Sequence, residues 1–361
     1  MTAPIPPPGG IDAVNRDFCQ FDQVDKSHTY RLSEACDGSE AFDEDFVVRT
    51  CDLSDYLHGD AAGRRRFAQS LGQAMEEIGF AILVGHGIDR DLFADAERAT
   101  VELFETVSIA ERMRYRACRS GSVNQGYFPI EQTTIIHPDL VEGWVFCRRA
   151  FDLDGDPDYR ERDFWPRPGF EPRFRALVEA EQRLIQPIMA AILDYLGCDP
   201  DLYADRLRAT NFGFRLNYYP APDTLPEPPR GGRMLGHEDV DLFTLLPAPA
   251  IEGLQVFNRR SLKWVRLHAP PGSIILNIGD YMQRISNDRL LSTTHRVSQP
   301  RDPAARSVPR ISTPLAVYLW EHELLEVLPG LGEPRYPPVT ALRFHTATTA
   351  KYYGADYAVD C

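Results

Sequence analysis

The hydrophobic pattern changes its period just past the midpoint of the chain. Before it, apolar side chains recur at threes and fours: Phe67, Leu71, Ala74, Met75 and Ile78 in one run, Leu92, Phe93, Ala96, Leu103 and Phe104 in another. Both runs predict helices, over 61–78 and about 90–105. Between them Gly79-Phe80-Ala81-Ile82-Leu83-Val84 reads as a buried strand and Gly85-His86-Gly87-Ile88 as a turn. A shorter apolar run from Phe46 to Leu53 reads as the first strand, and residues 106–170 are less regular. The clearest helix covers 171–197, with Phe174, Leu177, Ala180, Leu184, Ile188, Ala191, Ile192 and Tyr195 on one stripe. Pro187 inside it is expected to kink or split it, and Gly197 to end it.

From about residue 211 the period becomes two. Phe212, Phe214, Leu216 and Tyr218 share one face of a strand, and Gly213, Arg215, Asn217 and Tyr219 the other. Residues 220–232 hold five prolines and two glycines and form a loop, either a wall or lid of a site or a surface insertion. Short strands follow at 241–246, 253–257, 263–267, 273–278, 290–297 and 310–319, and a weak helical stretch at 338–352. Helices followed by many short strands predict a mainly β protein with flanking helices (α+β), built as a sandwich or jelly roll. Residues 1–45, rich in Pro, Gly and Asp, are expected to be a partly disordered or loosely packed arm. Residues 46–350 are expected to be one unit, with a helix-and-strand portion at 46–170, a supporting helix at 171–198 and the β core at 209–320. The last stretch, 338–361, holds Tyr352, Tyr353 and Tyr357, for which packing on the surface is one reading.

The chemistry concentrates between Leu216 and Ser312. If His237-Glu238-Asp239 is extended, His237 and Asp239 point to one side and Glu238 to the other. With His295 from a distant strand they make two imidazoles and one carboxylate, a set that covers one face of a metal and suits non-haem Fe(II) and dioxygen. Four protein ligands, the usual structural zinc arrangement, are absent from that set.

This stretch resembles the isopenicillin N synthase-like family of Fe(II)/2-oxoglutarate-dependent oxygenases. The resemblance rests on Asn217-x-Tyr219, His237-x-Asp239, Gly253-Leu254-Gln255-Val256, Asn277-Ile278-Gly279-Asp280, Gln283, Ser286-Asn287, His295-Arg296-Val297 and Arg310-x-Ser312. The helix, Gly-Phe strand, His-Gly-Ile turn and helix at 61–105 are a second match. The resemblance implies a double-stranded β-helix (jelly-roll) core, with His237, Asp239 and His295 as iron ligands and 338–361 as a segment that closes over the mouth of the core. It also implies 2-oxoglutarate and O2 as cosubstrates, with Arg310, Ser312, Asn217 and Tyr219 around 2-oxoglutarate. A guanidinium can grip the distal carboxylate of 2-oxoglutarate with two parallel bonds. Close relatives place that arginine about ten residues after the second histidine, whereas Arg310 comes fifteen after His295. Arg306-Ser307 offers a competing register, and the i, i+2 spacing of Arg310 and Ser312 favours Arg310. The expected activity is oxidation of a C–H bond of a small molecule, by hydroxylation, desaturation or oxidative cyclisation, in bacterial specialised metabolism. Arg215 is a candidate contact to a substrate carboxylate or else half of a structural ion pair, and Tyr127 and Phe146 are candidate substrate contacts or else simply core. Two alternatives stay open: a 2-oxoglutarate-independent iron oxidase of the same family, and a non-catalytic small-molecule-binding β-helix protein.

The formal charge of −14 disfavours nucleic acid as a partner, because phosphate backbones need a cationic face. Seven scattered cysteines without a CxxC fit reduced thiols in a cytoplasm. The amino terminus lacks the pattern of a signal peptide, and no apolar run approaches the ~20 residues that span a bilayer. A monomer or weak dimer is expected. Lysine occurs at only three positions (26, 263 and 351) while arginine is abundant, a bias that points to a GC-rich bacterial genome.

Overall fold

In the computed structural model, which describes residues 34, 40–121, 123–130, 139–225 and 232–353, two β-sheets face each other and helices cover the outer face of the larger one. The strands are β1 (Thr50–Asp52), β2 (Phe80–Val84), β3 (Cys118–Ser120), β4 (Val123–Phe128), β5 (Glu142–Cys147), β6 (Asn211–Tyr219), β7 (Met234–His237) and β8 (Phe243–Pro247). They continue as β9 (Leu254–Asn258), β10 (Lys263–Arg266), β11 (Ile274–Ile278), β12 (His295–Val297), β13 (Arg310–Ser312) and β14 (Leu315–Tyr318). The larger sheet runs β1-β2-β11-β8-β14-β6-β5-β4-β3, with β13 also on β6, and the smaller runs β10-β9-β12-β7. This is the jelly-roll core with flanking helices that the sequence led us to expect.

The longer helices are α1 (Ala61–Glu77), α2 (Arg90–Thr106), α3 (Phe170–Leu196) and, at the carboxyl end, α4 (Ala341–Tyr353). The stripes of α1 and α3 and the outward positions of the large sheet form one core: Phe212, Phe214 and Leu216 of β6 join Leu71, Leu103, Phe174 and Ile188 there. The period-two alternation of β6 is thereby decided. Its apolar face meets the helices, and Gly213, Arg215, Asn217 and Tyr219 line the space between the sheets. A second core, Phe80, Ile82, Leu254, Val256, Val265 and Ile275, closes one end of that space.

Several elements differ from expectation. The α3 helix runs unbroken through Pro187. The backbone bond that proline removes would go to the Arg183 carbonyl, and Arg183 and Gln186 are exposed, so solvent can satisfy the freed group. The strand expected at 290–297 forms only at His295–Val297. The one expected at 310–319 is two, because Pro314, which has no N–H, separates β13 from β14. Of the amino-terminal arm, the described residues are held against the smaller sheet. The Asp43 N–H donates to the Trp264 carbonyl at 2.9 Å, Arg266 pairs with Glu44 at 2.8 Å and Arg296 with Glu40 at 2.8 Å. Residues 226–231 of the proline-rich loop and Tyr357 lie outside the described residues, as do the side chains of Tyr352 and Tyr353. Among the described residues no helix is long and apolar enough to cross a membrane.

Candidate metal centre and cosubstrate pocket

His237 is the last residue of β7 and His295 the first of β12, and the two are direct partners across that antiparallel pair. Their rings lie 4.3 Å apart between centroids. The Nδ1 atom of each ring faces a carbonyl oxygen two residues earlier, Leu235 at 2.8 Å and Thr293 at 3.1 Å. A carbonyl only accepts, so each Nδ1 carries a proton, and in the neutral tautomer this selects, Nε2 is the nitrogen left to bind a metal. Burial first, and then the neighbouring His295, hold the His237 pKa down to about 4, so the ring is neutral at pH 7.

Asp239 completes the group by a route other than the extended strand expected for 237–239. The β7 strand ends at His237, and the Asp239 carbonyl accepts from the Asp280 N–H at 2.8 Å instead of from a strand partner. Its Oδ2 is held by Asn277 Nδ2 at 2.7 Å and Thr244 Oγ1 at 2.8 Å. Oδ1 is left facing the imidazoles, 3.8 Å from His237 Nε2 and 3.9 Å from His295 Nε2. Burial alone would raise the Asp239 carboxyl, but the two imidazoles, Asn277 and Thr244 outweigh it and leave its pKa lowered. Glu238 does point away, and its Oε1 accepts from Thr294 Oγ1 at 2.6 Å. The donor atoms of His237, Asp239 and His295 lie within 4.8 Å of one another. Two neutral nitrogens and one carboxylate oxygen, each oriented from behind and none a thiolate, fit a ferrous ion bound on one face.

Behind the carboxylate stands Asp241, fully buried. Burial and the Asp239 charge push its carboxyl well above the usual range. The Thr244 hydroxyl sits 2.6 Å from Asp241 Oδ2 and has a single proton to give. A protonated Asp241 donating to Thr244, which donates on to Asp239, satisfies both contacts. The backbone makes room for this at Gly279, where a Cβ would lie 2.3 Å from Asp241 Oδ1 and 2.6 Å from the Asp241 carbonyl oxygen.

The cosubstrate candidates lie on the opposite sheet. Arg310 pairs with Tyr219 and Ser312 with Asn217 across β13 and β6. Asn217 Nδ2 donates to Ser312 Oγ at 3.2 Å. The Arg310 guanidinium is buried over the Tyr219 ring, 4.9 Å from its centroid, and its Nε donates to the Ile251 carbonyl at 3.1 Å. Its Nη1 is buried with no partner among the described residues. Arg306 is half-buried outside the cavity and pairs with Asp223 at 3.4 Å, whereas Arg310 lines it. An orphaned buried guanidinium beside a hydroxyl and an amide fits the distal carboxylate of 2-oxoglutarate.

These groups share one cavity of about 230 Å³ between the sheets. Arg215 lines it. The other two candidates, Tyr127 and Phe146, do not line it and follow the core reading. Alternation along β5 sends Gly143 and Val145 inward, and Trp144 and Phe146 into the helix-side core, where Phe146 stacks on Trp165 at 3.7 Å. Tyr127 also points into that core and donates to Glu142, while Val123 and Asn124 form the wall in its place. His86 is a turn histidine, its Nε2 bonding the Gly272 carbonyl at 2.9 Å and its Nδ1 accepting from the Ile88 N–H at 3.1 Å. Sequence reasoning assigned no role to Thr244, Asn277 or His345. Asn277 lay inside a matched motif, whereas Thr244 and His345 carried no signal of their own. His345 sits on α4 with Nδ1 3.2 Å from the Tyr281 hydroxyl, and lines the cavity from above.

Comparison with known proteins agrees with this geometry. Residues 210–316 match the family model of the 2OG-Fe(II) oxygenase superfamily, and residues 48–168 match that of the non-haem dioxygenase in morphine synthesis N-terminal region. The 2-oxoglutarate-dependent dioxygenase ecdK of Aspergillus rugulosus is 24% identical over 334 residues, 85% of this chain and 99% of that protein. A 2OG-Fe(II) oxygenase family protein from Caulobacter crescentus superposes with a TM-score of 0.69 at 28% identity, covering 84% of this chain and 98% of the other. A full-length Neurospora crassa protein, solved in complex with alpha-KG and thymine, has the same fold, with a TM-score of 0.75 at 21% identity over 86% of this chain and 99% of that one. From amino-terminal helices to β-helix core, this chain belongs to the Fe(II)/2-oxoglutarate-dependent oxygenases, and it is a non-haem iron dioxygenase that uses Fe(II), 2-oxoglutarate and O2.

Proposed function

We propose that His237, Asp239 and His295 hold the iron, that Arg310, Ser312, Asn217 and Tyr219 seat 2-oxoglutarate, and that the enzyme oxidises a C–H bond of a small molecule in bacterial specialised metabolism. The observation that carries this is the single cavity joining the triad on one sheet to the orphaned Arg310 guanidinium on the other. When bound, Fe(II) and 2-oxoglutarate with O2 supply a two-electron oxidation of the substrate, in which 2-oxoglutarate leaves as succinate and CO2.

The protein's own share is positional. The carbonyls of Leu235 and Thr293 fix the orientation and tautomer of the two rings, so that Nε2 is the nitrogen each offers inward. Asn277 and Thr244 occupy one carboxylate oxygen so that the other is offered to the metal. The Phe80 ring stands edge-on to His295, 5.4 Å between centroids, and keeps water from that side. Arg310 and Ser312 fix the far end of the cosubstrate and so its orientation at the iron. The size of the cavity fits a small molecule, and the acidity of the chain speaks against nucleic acid. The test is succinate release by the iron-loaded protein with O2, with and without candidate substrates, read beside the mass change of the substrate. A gain of one oxygen marks hydroxylation, and a loss of two hydrogens desaturation or ring closure. His237→Ala is expected to abolish both signals. Undiminished turnover in that variant would refute the assignment.

A further inference from the structure

We propose that the substrate carries a carboxylate on a mainly apolar body, and that Arg215, a cavity-lining guanidinium with no acidic partner among the described residues, seats that carboxylate. The inference rests on the oxygenase reading above and adds a substrate class to it.

Along β6 the inward positions are Gly213, Arg215, Asn217 and Tyr219. Asn217 and Tyr219 face Ser312 and Arg310, so the cosubstrate end of the cavity is the Tyr219 end. Arg215 lies four residues back from Tyr219, about 13 Å along an extended strand. A five-carbon dicarboxylate gripped by Arg310 at one end and by the metal at the other has both charges met without Arg215. Among the groups that would meet the metal and cosubstrate, the dianion and Asp239 balance the ferrous ion and Arg310, so neither makes a demand on Arg215.

Arg215 is held and yet, among the described residues, meets no carboxylate. Its Nε donates to Asn217 Oδ1 at 2.7 Å and its Cζ lies 5.7 Å from the Phe128 ring centroid. No carboxylate of the described residues pairs with it. Its terminal nitrogens therefore keep the fork that matches a carboxylate. Asp139, another acid on the wall, accepts from the Leu235 N–H at 3.0 Å. Space for the guanidinium is made on the neighbouring strand: a Cβ on Gly143 would lie 2.8 Å from Arg215 Nη2 and 3.3 Å from its Cζ. The backbone at Gly143 is not left-handed, so conformation does not demand glycine there. A Cβ there would instead displace the end of the Arg215 side chain. Around it the wall is Val123, Val145, Pro314, Ala316 and Tyr318, which suits an apolar body.

The test is calorimetry under nitrogen on the protein loaded with Fe(II) and 2-oxoglutarate. The titrants are straight-chain, aromatic and alicyclic monocarboxylic acids of six to twelve carbons, each beside its primary amide. At least one acid is expected to bind at least tenfold more tightly than its amide. Arg215→Gln is expected to erase that preference, Arg215→Lys to keep part of it, and Gly143→Ala, which pushes the guanidinium out of its seat, to weaken it. Amides that bind as well as their acids, an acid preference that survives in Arg215→Gln, or failure of every acid to bind would each overturn the proposal. Air is then admitted and the mass of the bound compound is read. An acid that binds but is never oxidised sinks the oxygenase reading and leaves the recognition standing, whereas oxidation of a neutral compound alone does the reverse.

Discussion

Arg310→Met should move folding stability and cosubstrate affinity in opposite directions. The guanidinium is buried, burial lowers its pKa, and its Nη1 meets no partner. The free protein thus bears a desolvation cost that the Ile251 carbonyl and Tyr219 offset only in part and that a ligand carboxylate would repay. Replacing it with an apolar side chain of similar length removes that cost, so the melting temperature of the ligand-free protein should stay level or rise. In the complex, two charge-assisted bonds to the distal carboxylate are lost. At about 1.5–3 kcal/mol each they amount to about 3–6 kcal/mol. That is roughly two to four orders of magnitude in Kd at about 1.4 kcal/mol per tenfold. Calorimetric titration of 2-oxoglutarate into iron-loaded protein under nitrogen measures the second effect, and thermal unfolding of the ligand-free protein the first. Arg310→Lys should recover part of the affinity through its point charge. If Arg310→Met binds 2-oxoglutarate within about tenfold of the parent, the cosubstrate is not held there and the reasoning fails.

Thr244→Val leaves Asp239 Oδ2 with Asn277 alone and strands the buried Asp241 carboxyl; iron affinity should fall roughly 10–100-fold, read by competition with a chelator. His345 is buried and its pKa is held by burial at about 4, against 6.5 when free. Its contribution to stability is therefore complete above pH 6.5 and is lost as pH falls toward 4, by about 3 kcal/mol. Unfolding curves of His345→Gln across that window should be flatter than those of the parent, and parallel curves would exclude the effect. Gly72→Ala would place a Cβ 1.9 Å from the Tyr195 ring where α1 meets α3. It should cost about 1–3 kcal/mol in denaturant unfolding while leaving iron binding intact.

How much of this was legible beforehand depended on the range of the interaction involved. The 3.6-residue stripes of α1, α2 and α3 and the alternation of β6 are local properties of the chain, and the elements formed within a residue or two of where the pattern put them. The inward set Arg215, Asn217 and Tyr219 followed from the same alternation once one face was known to be apolar. The same rule would have excluded Phe146 had it been applied to β5, since Trp144 and Phe146 share the face that meets the helices.

Other features needed the assembled sheets. His237 and His295 are far apart in the chain and become partners only through the β7–β12 pairing. Asp239 reaches its place through Asn277 and Thr244 on neighbouring strands, not through the i, i+2 geometry of one strand. That Arg310 and not Arg306 lines the cavity depends on how the strands assemble, and Pro187 is tolerated where the helix surface around Arg183 and Gln186 is exposed. Hydrophobic period is written into consecutive residues, so it can be read without the fold. Convergence of side chains, desolvation and the presence or absence of a counter-charge are properties of three-dimensional neighbourhoods, and they came into being only when the two sheets closed on each other.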